Sequence, residues 1–277
     1  MNGISQITGR HNSRLAHIRK VRDGKIDGQI FIEGFRVAAE AMRSGVLILE
    51  CAVTREMLDG NEVSQLVGEL IGRGTQIFEV PKPLFTSLAD TVNSQGVILI
   101  AERPKTGKEA VTLEKGREEP LVVFLERTND PSNLGAVFRT AEAAGVSAVV
   151  VSTGSATVFS PKSIRAAMGS NLRVPTWDNA GLAECVGWAK EKGLAVRAAD
   201  ISGSKSLFEV DWSIPAMVVF GSEAAGLSQD ELALTDDIFR IPMQNNVESL
   251  NLSVSAGIVL FEALRQRTSG NILTNRS

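Results

Sequence analysis

Ile241-Pro242-Met243-Gln244-Asn245-Asn246-Val247-Glu248-Ser249-Leu250-Asn251 runs directly into the apolar stretch Leu252–Arg267. It reads as the end of a strand, a polar loop and a long apolar helix. A helix start exposes unpaired backbone N–H groups and a partial positive charge. A polar loop at that point can hold a small ligand. It can equally do no more than cap the helix through Ser249 or Asn251. The stretch alone leaves both readings open.

Two upstream stretches bear on the choice. Leu121–Leu125 is a continuous apolar run, the pattern of a strand buried in a parallel sheet. After it come the loop Glu126–Ser132, a helix over Asn133–Ala144 and a strand over Ser147–Ser152, which together make a βαβ unit. Arg139 lies among Val137, Phe138 and Ala141. A charge on so apolar a helix either snorkels to the rim or meets an anion. Asn129-Asp130-Pro131 also reads as a simple turn. The second stretch, Phe220-Gly221-Ser222-Glu223-Ala224-Ala225-Gly226, follows the apolar strand Ala216–Phe220. Gly221 permits close backbone approach to a ligand, Glu223 stands at the strand exit and Gly226 breaks the turn. Neither a GxGxxG fingerprint nor a Walker A sequence is present.

Strands over Leu194–Ala199 and Ile238–Ile241, with helices over Pro161–Met168, Gly181–Glu191 and Leu227–Leu234, complete a mostly parallel α/β sheet. Ligands bind such sheets at the carboxyl ends of the strands. Earlier in the chain, strands over Gln29–Glu33, Leu47–Thr54, Gln76–Val80 and Gly96–Ala101 alternate with helices over Arg36–Ser44, Glu62–Ile71 and Leu84–Asp90. They imply a small α/β domain. The expected organisation is an N-terminal domain 1–103, a linker 104–119 and a C-terminal domain 120–277. The arm Met1–Lys25 is basic. Arg14–Arg22 fits a short amphipathic helix, and its charges, with Arg10, meet phosphates or form a solvated face. The turn Glu33-Gly34-Phe35-Arg36 touches a ligand or only enters a helix.

Composition excludes several classes. The 277-residue chain carries a net charge of −3, so nothing global marks it for nucleic acid, although a local patch can suffice. Cys51 and Cys185 stand far apart without metal-binding spacing, which fits a reducing, cytoplasmic setting and no metal. No secretory or membrane-spanning segment is evident. The two histidines, His11 and His17, are both N-terminal, and tyrosine is absent. Chemistry in the C-terminal half must therefore proceed without His or Tyr, which removes most nucleophilic triads.

Taken in order, Asn129–Gly145, Val218–Leu227 and Ile241–Ala256 resemble the three motifs of the SpoU/TrmH family of RNA ribose 2′-O-methyltransferases, in the SPOUT superfamily. Phe159–Ser170 resembles the segment between the first and second motifs. The resemblance extends over Leu121–Arg267 and, more loosely, over residues 1–103, similar to a ribosomal-protein-like substrate-binding domain. It implies a C-terminal trefoil knot, a homodimer with its active site near the interface, and S-adenosylmethionine as cofactor. Gly221, Ile241 and Leu250 would hold the cofactor through backbone groups, with Met243 and Ser249 completing the pocket. The implied reaction transfers a methyl group to a ribose 2′-OH of RNA, ribosomal rather than transfer RNA. Arg139 would serve the proton step and contact RNA. Apart from the resemblance, Arg165 is expected to reach RNA or the partner chain, and Arg10 and Arg14 of the basic arm to contact RNA. Asn133 would position Arg139 or the ribose, Glu223 would fix a loop or Arg139, and Ser249 and Asn251 would shape the pocket. A free guanidinium, with a pKa above about 12, is a poor base. Two options follow: Arg139 is desolvated and coupled to an RNA phosphate that takes up the proton, or, favoured on pKa grounds, it stays charged, orients the phosphate and polarises the hydroxyl while water accepts the proton. Two other readings remain: a non-catalytic RNA-binding protein with this fold, and a nucleotide-dependent oxidoreductase.

Overall fold

A computed structural model describes residues 3–113, 119–245 and 247–272. Its first elements are β1 (Ile4–Gln6), α1 (Ser13–Arg22), β2 (Gln29–Glu33), α2 (Phe35–Ser44), β3 (Ile48–Val53), α3 (Arg55–Leu58), α4 (Asn61–Gly72), β4 (Gln76–Glu79), α5 (Lys82–Thr86) and β5 (Val97–Glu102). Then follow β6 (Leu121–Leu125), α6 (Pro131–Ala143), β7 (Ala148–Ser152), α7 (Pro161–Ala167), β8 (Thr176–Ala180) and α8 (Leu182–Glu191). The last are β9 (Ala195–Ala199), β10 (Lys205–Ser206), β11 (Ala216–Phe220), α9 (Gln229–Leu232), β12 (Asp237–Arg240) and α10 (Leu252–Ile272). They divide into two compact units, Met1–Pro104 with Phe159–Leu172, and Lys105–Val158 with Arg173–Ser277.

The first unit is built on a five-stranded mixed sheet in the order β1-β4-β3-β5-β2. Leu15, Ile18 and Val21 of α1 pack with Phe31, Phe78, Phe85, Ile98 and Ile100. Asn12 caps α1 by accepting the Arg14 N–H at 2.8 Å. The basic residues of this arm are largely engaged within the unit. Arg14 pairs with Glu50 at 2.7 Å and lies over the Phe78 ring. Arg22 donates to the carbonyls of Ser87, Leu88 and Ala89, groups that the end of α5 leaves open. Arg10 donates to Nε2 of its neighbour His11. β1 escapes sequence reading because it is a short edge strand, exposed along most of its length.

Phe159–Leu172 packs within this first unit. Its helix α7 is capped by Ser160, whose hydroxyl accepts the Ser163 N–H. Arg165 reaches Asp90 at 2.8 Å and lies 3.8 Å from Glu33. Glu33 is 2% exposed and accepts from Asp90 N, Thr91 N and Thr91 Oγ1. Arg165, expected at an RNA contact, is thus engaged by carboxylates.

The second unit holds a seven-stranded sheet in the order β10-β12-β9-β11-β6-β7-β8, parallel at every pairing. The central strands are buried throughout, as their unbroken apolar runs require. β8 was not legible because it is an edge strand whose apolar pattern is interrupted by Asp178 and Asn179, neither of them buried. The segment read as a linker contains a tight turn at Lys108–Ala110. Gly107 N–H donates to Thr176, and Val111 is buried in the second core; residues 114–118 lie outside the described residues. No helix among the described residues is long and apolar enough to cross a membrane.

Register places the site. Phe220 pairs with both Leu125 and Ala199, so Glu126, Gly221 and Asp200 leave three adjacent strands at one level. Phe239 pairs with Ala199, which brings Ile241 just above them.

Candidate active site

β11 ends in a tight reversal. Ser222 and Gly226 exchange backbone hydrogen bonds at 3.1 and 3.0 Å, and Gly226 has a φ of 65°. The returning chain passes so near Gly221 that a Cβ there would lie 2.4 Å from Gly226 C and 2.6 Å from Leu227 N. No side chain fits, so the glycine is a steric requirement of the turn that presents Glu223.

Glu223 meets residues from two other loops. Asn133 Nδ2 donates to Glu223 Oε1 at 2.5 Å, and Asn251 Nδ2 donates to Asn133 Oδ1 at 3.0 Å. Asn251 Oδ1 accepts from Ser253 N at 2.9 Å and from Val254 N at 3.4 Å, so the same side chain caps α10. α6 starts at Pro131, two residues earlier than its periodicity predicts, because Asp130 accepts the Ser132 N–H as N-cap. This sets Asn133 in the first turn. Both capping alternatives are thereby resolved: Asn251 caps, while Ser249 makes no hydrogen bond among the described residues.

Arg139 does not join this chain of amides. It is exposed on α6 and has no hydrogen-bond or ion-pair partner among the described residues. The expectation that Asn133 or Glu223 holds it is not met within one chain, since those two bond to each other. At 100° per residue, six positions turn the helix by about 240°, so Asn133 and Arg139 face different directions.

A cavity of about 320 Å³ opens beside Glu223. Gly221, Glu223, Ile241, Met243, Ser249 and Leu250 line it, together with Asp200, Ile201 and Glu248. Asn246 of the same loop lies outside the described residues. Asp200 and Ile201 were missed. Their signal was the exit of the strand Leu194–Ala199, which carries a carboxylate beside a central strand. Asp200 Oδ1 takes the N–H and hydroxyl of Ser202, and Oδ2 lies 3.7 Å from where a Cβ on Gly226 would stand. Among the described residues the wall carries three carboxylates, Asp200, Glu223 and Glu248, and no Lys or Arg. Such a lining suits a cationic ligand rich in hydrogen-bond donors and opposes phosphates.

Elsewhere the chemistry is quiet. Cys51 and Cys185 are buried, and burial pushes both thiols up to about 12. Among the described residues no cluster of His, Cys, Asp and Glu could hold a metal ion.

Comparison with known proteins agrees with this geometry. Residues 120–261 match the SpoU rRNA methylase family, and residues 31–107 match a domain described as RNA 2′-O ribose methyltransferase substrate binding. An uncharacterised tRNA/rRNA methyltransferase of Synechocystis is 30% identical over 95% of each chain. A 23S rRNA (uridine(2479)-2′-O)-methyltransferase of Streptomyces viridochromogenes is 29% identical over 89% of this chain and 86% of its own. An S-adenosylmethionine-bound rRNA methyltransferase of Sinorhizobium meliloti superposes with a TM-score of 0.83 at 27% identity, covering 95% of this chain and 98% of its own. With one family spanning the whole second sheet and a relative matching end to end, the chain belongs to the SpoU rRNA methylase family.

Proposed function

We propose that this protein is an S-adenosylmethionine-dependent methyltransferase acting on a ribose 2′-OH of RNA, with ribosomal RNA as its substrate. The carrying observation is the cation-free, carboxylate-lined cavity at the exits of β9, β11 and β12, beside the Glu223–Asn133–Asn251 chain. When bound, S-adenosylmethionine supplies a methyl group already activated on a cationic sulfur. Gly221, Ile241 and Leu250 would hold it through backbone groups, with Met243 and Ser249 alongside. The acidic wall favours its positive charge and its amino and hydroxyl donors. The same wall disfavours the diphosphate of a nicotinamide cofactor, which weighs against an oxidoreductase.

The protein's share of the work is alignment and the handling of one proton. Asn133 and Asn251 would orient the ribose, fixed in turn by Glu223. Arg139, exposed and without a partner among the described residues, would stay charged and hold the adjoining phosphate while water takes the hydroxyl proton. The intact polar chain argues against a purely RNA-binding role. Of the arginines expected at RNA, Arg139, Arg10 and Arg14 are exposed, although Arg14 also pairs with Glu50, while Arg165 serves ion pairs within the first unit.

We infer further that two copies assemble through α10, whose Val254, Ile258 and Phe261 form an exposed apolar stripe, 49%, 36% and 50% accessible. The C-terminal trefoil knot belongs to the same reading. In its support, a Cβ on Gly203 would lie 2.5 Å from Phe239 C, so the loop after β9 is pressed against the backbone of β12. A cytoplasmic location follows from the substrate. The direct test maps ribose 2′-O-methylation in cellular RNA with and without the gene. A ribosomal site that vanishes with the gene is expected, and an unchanged map overturns the proposal. Calorimetry should show S-adenosylmethionine binding and NAD failing to bind.

A further inference from the structure

Arg127 is the second residue past β6, and its φ of 46° places a long, charged residue in the left-handed region that favours glycine. Several contacts hold it there. Its N–H donates to Ser152 Oγ at 2.7 Å. Nη1 donates to Glu126 Oε1 at 2.7 Å and to Glu231 Oε1 at 2.6 Å, and Nη2 donates to Glu231 Oε2 at 3.2 Å. Glu231 is itself fixed in a capping box: Oε2 accepts the Ser228 N–H at 2.7 Å, and the Glu231 N–H donates to Ser228 Oγ at 3.3 Å. Glu126 is 6% exposed.

These bonds join two loops. Arg127 opens the one that leads to Asn133, and Glu231 sits on the turn that closes the one bearing Glu223. The loops meet twice, at the Arg127–Glu231 pair and at the Asn133–Glu223 amide bond. Arg127 does not line the cavity. Burial raises the Glu126 carboxyl, while hydrogen bonds from Arg127 hold Glu231 down at about 2, so the guanidinium keeps an ionised partner across the working pH range.

We propose that Arg127 is a positioning residue for methyl transfer, a clamp that fixes the Asn133 loop against the Glu223 loop so that the polar chain forms in register. This rests on the transfer reaction proposed above. Bidentate contact suits the task, because a planar fork fixes direction as well as distance.

The test uses the full chain. Glycine accepts a φ of 46° freely, so Arg127→Gly removes the clamp without stressing the turn. Single-turnover transfer at saturating RNA and cofactor should fall by about 10- to 100-fold, the scale of a small misalignment. The calorimetric Kd for S-adenosylmethionine should stay within about twofold, since the cavity wall is untouched. Arg127→Lys should recover part of the rate. The double variant with Glu231→Gln should be no slower than Arg127→Gly alone, because both break one contact. Independently of turnover, hydrogen exchange over residues 129–133 and 222–226 should accelerate in Arg127→Gly and stay unchanged elsewhere. Unaltered exchange together with a wild-type rate overturns the clamp, as does a loss that tracks cofactor affinity or multiplies in the double variant. A wild-type protein that methylates no ribose would instead overturn the reaction, and the exchange measurement would still decide the clamp.

Discussion

At the scale of single residues, a position can be read from sequence when its chemistry is unusual for its surroundings. Arg139 is such a residue: a guanidinium among Val137, Phe138 and Ala141, exposed and without a partner among the described residues. If it orients a phosphate through two parallel donors, charge alone will not replace it. Arg139→Ala should lower single-turnover transfer by about 100-fold or more, the order seen when one charge-stabilising donor is removed from an active site. Arg139→Lys should not restore it. Wild-type turnover in the lysine variant would remove Arg139 from the proton and phosphate work. Gly221 reads from sequence as a place where the backbone comes close to a ligand; in the structure the group that approaches it is the backbone of Gly226 and Leu227.

At the scale of elements, one side chain can carry two duties that substitution separates. Asn251 caps α10 through Oδ1 and bonds Asn133 through Nδ2. Aspartate caps as well as asparagine but cannot donate. Asn251→Asp should therefore melt close to wild type and lose most transfer, whereas Asn251→Ala should lose transfer and about 1 kcal/mol of stability. Thermal melts beside single-turnover rates would show the split; equal melting losses in both variants would deny the cap. The short helix α9 adds a pH signature. Glu231 is lowered from 4.5 to about 2, chiefly by the hydrogen bond from Arg127. Its contribution to stability is whole above 4.5 and fades as pH falls toward 2. Denaturation of Glu231→Gln against wild type should show a gap at pH 7 that narrows between pH 4.5 and 2; a gap that stays constant would mean the carboxylate is not what stabilises. Legibility follows the same logic. Strands buried on both faces, such as Leu121–Leu125 and Ala216–Phe220, show themselves as apolar runs. Edge strands β1 and β10 are short and bury no residue, and edge strand β8 is interrupted by Asp178 and Asn179, so their patterns dissolve. The cavity residues of the last loop were readable from their place before an apolar helix. Asp200 and Arg127 were not, since their meaning comes from neighbours distant in sequence.

At the scale of the whole molecule, α10 is apolar on more faces than one chain can cover. Leu252, Ala256, Val259, Leu260 and Ala263 are buried, yet Val254, Ile258 and Phe261 stand half in water at spacings of four and three, a single helical stripe. The helix runs beside α6, where a Cβ on Gly257 would meet Thr140 at 3.9 Å, so the stripe and Arg139 belong to adjacent helices. We propose that a second copy seats on this stripe, and that each chain's Arg139 then serves the other's polar chain, since it does not join its own. Sedimentation should find a dimer in the wild type and a folded monomer without transfer activity in Ile258→Glu. The sharper measurement mixes two inactive proteins, Arg139→Ala and Asn251→Ala, after partial denaturation and refolding. If the site is completed across copies, half the dimers are mixed and each carries one intact site, which returns about a quarter of wild-type activity for a two-fold assembly. Should Arg139 serve its own chain, a mixed dimer has both defects of one kind separated by subunit, Asn251 lost in one site and Arg139 in the other, and activity stays at the level of the parents. A wild type that sediments as a monomer with full transfer would sink the composite site and leave the apolar stripe to another partner.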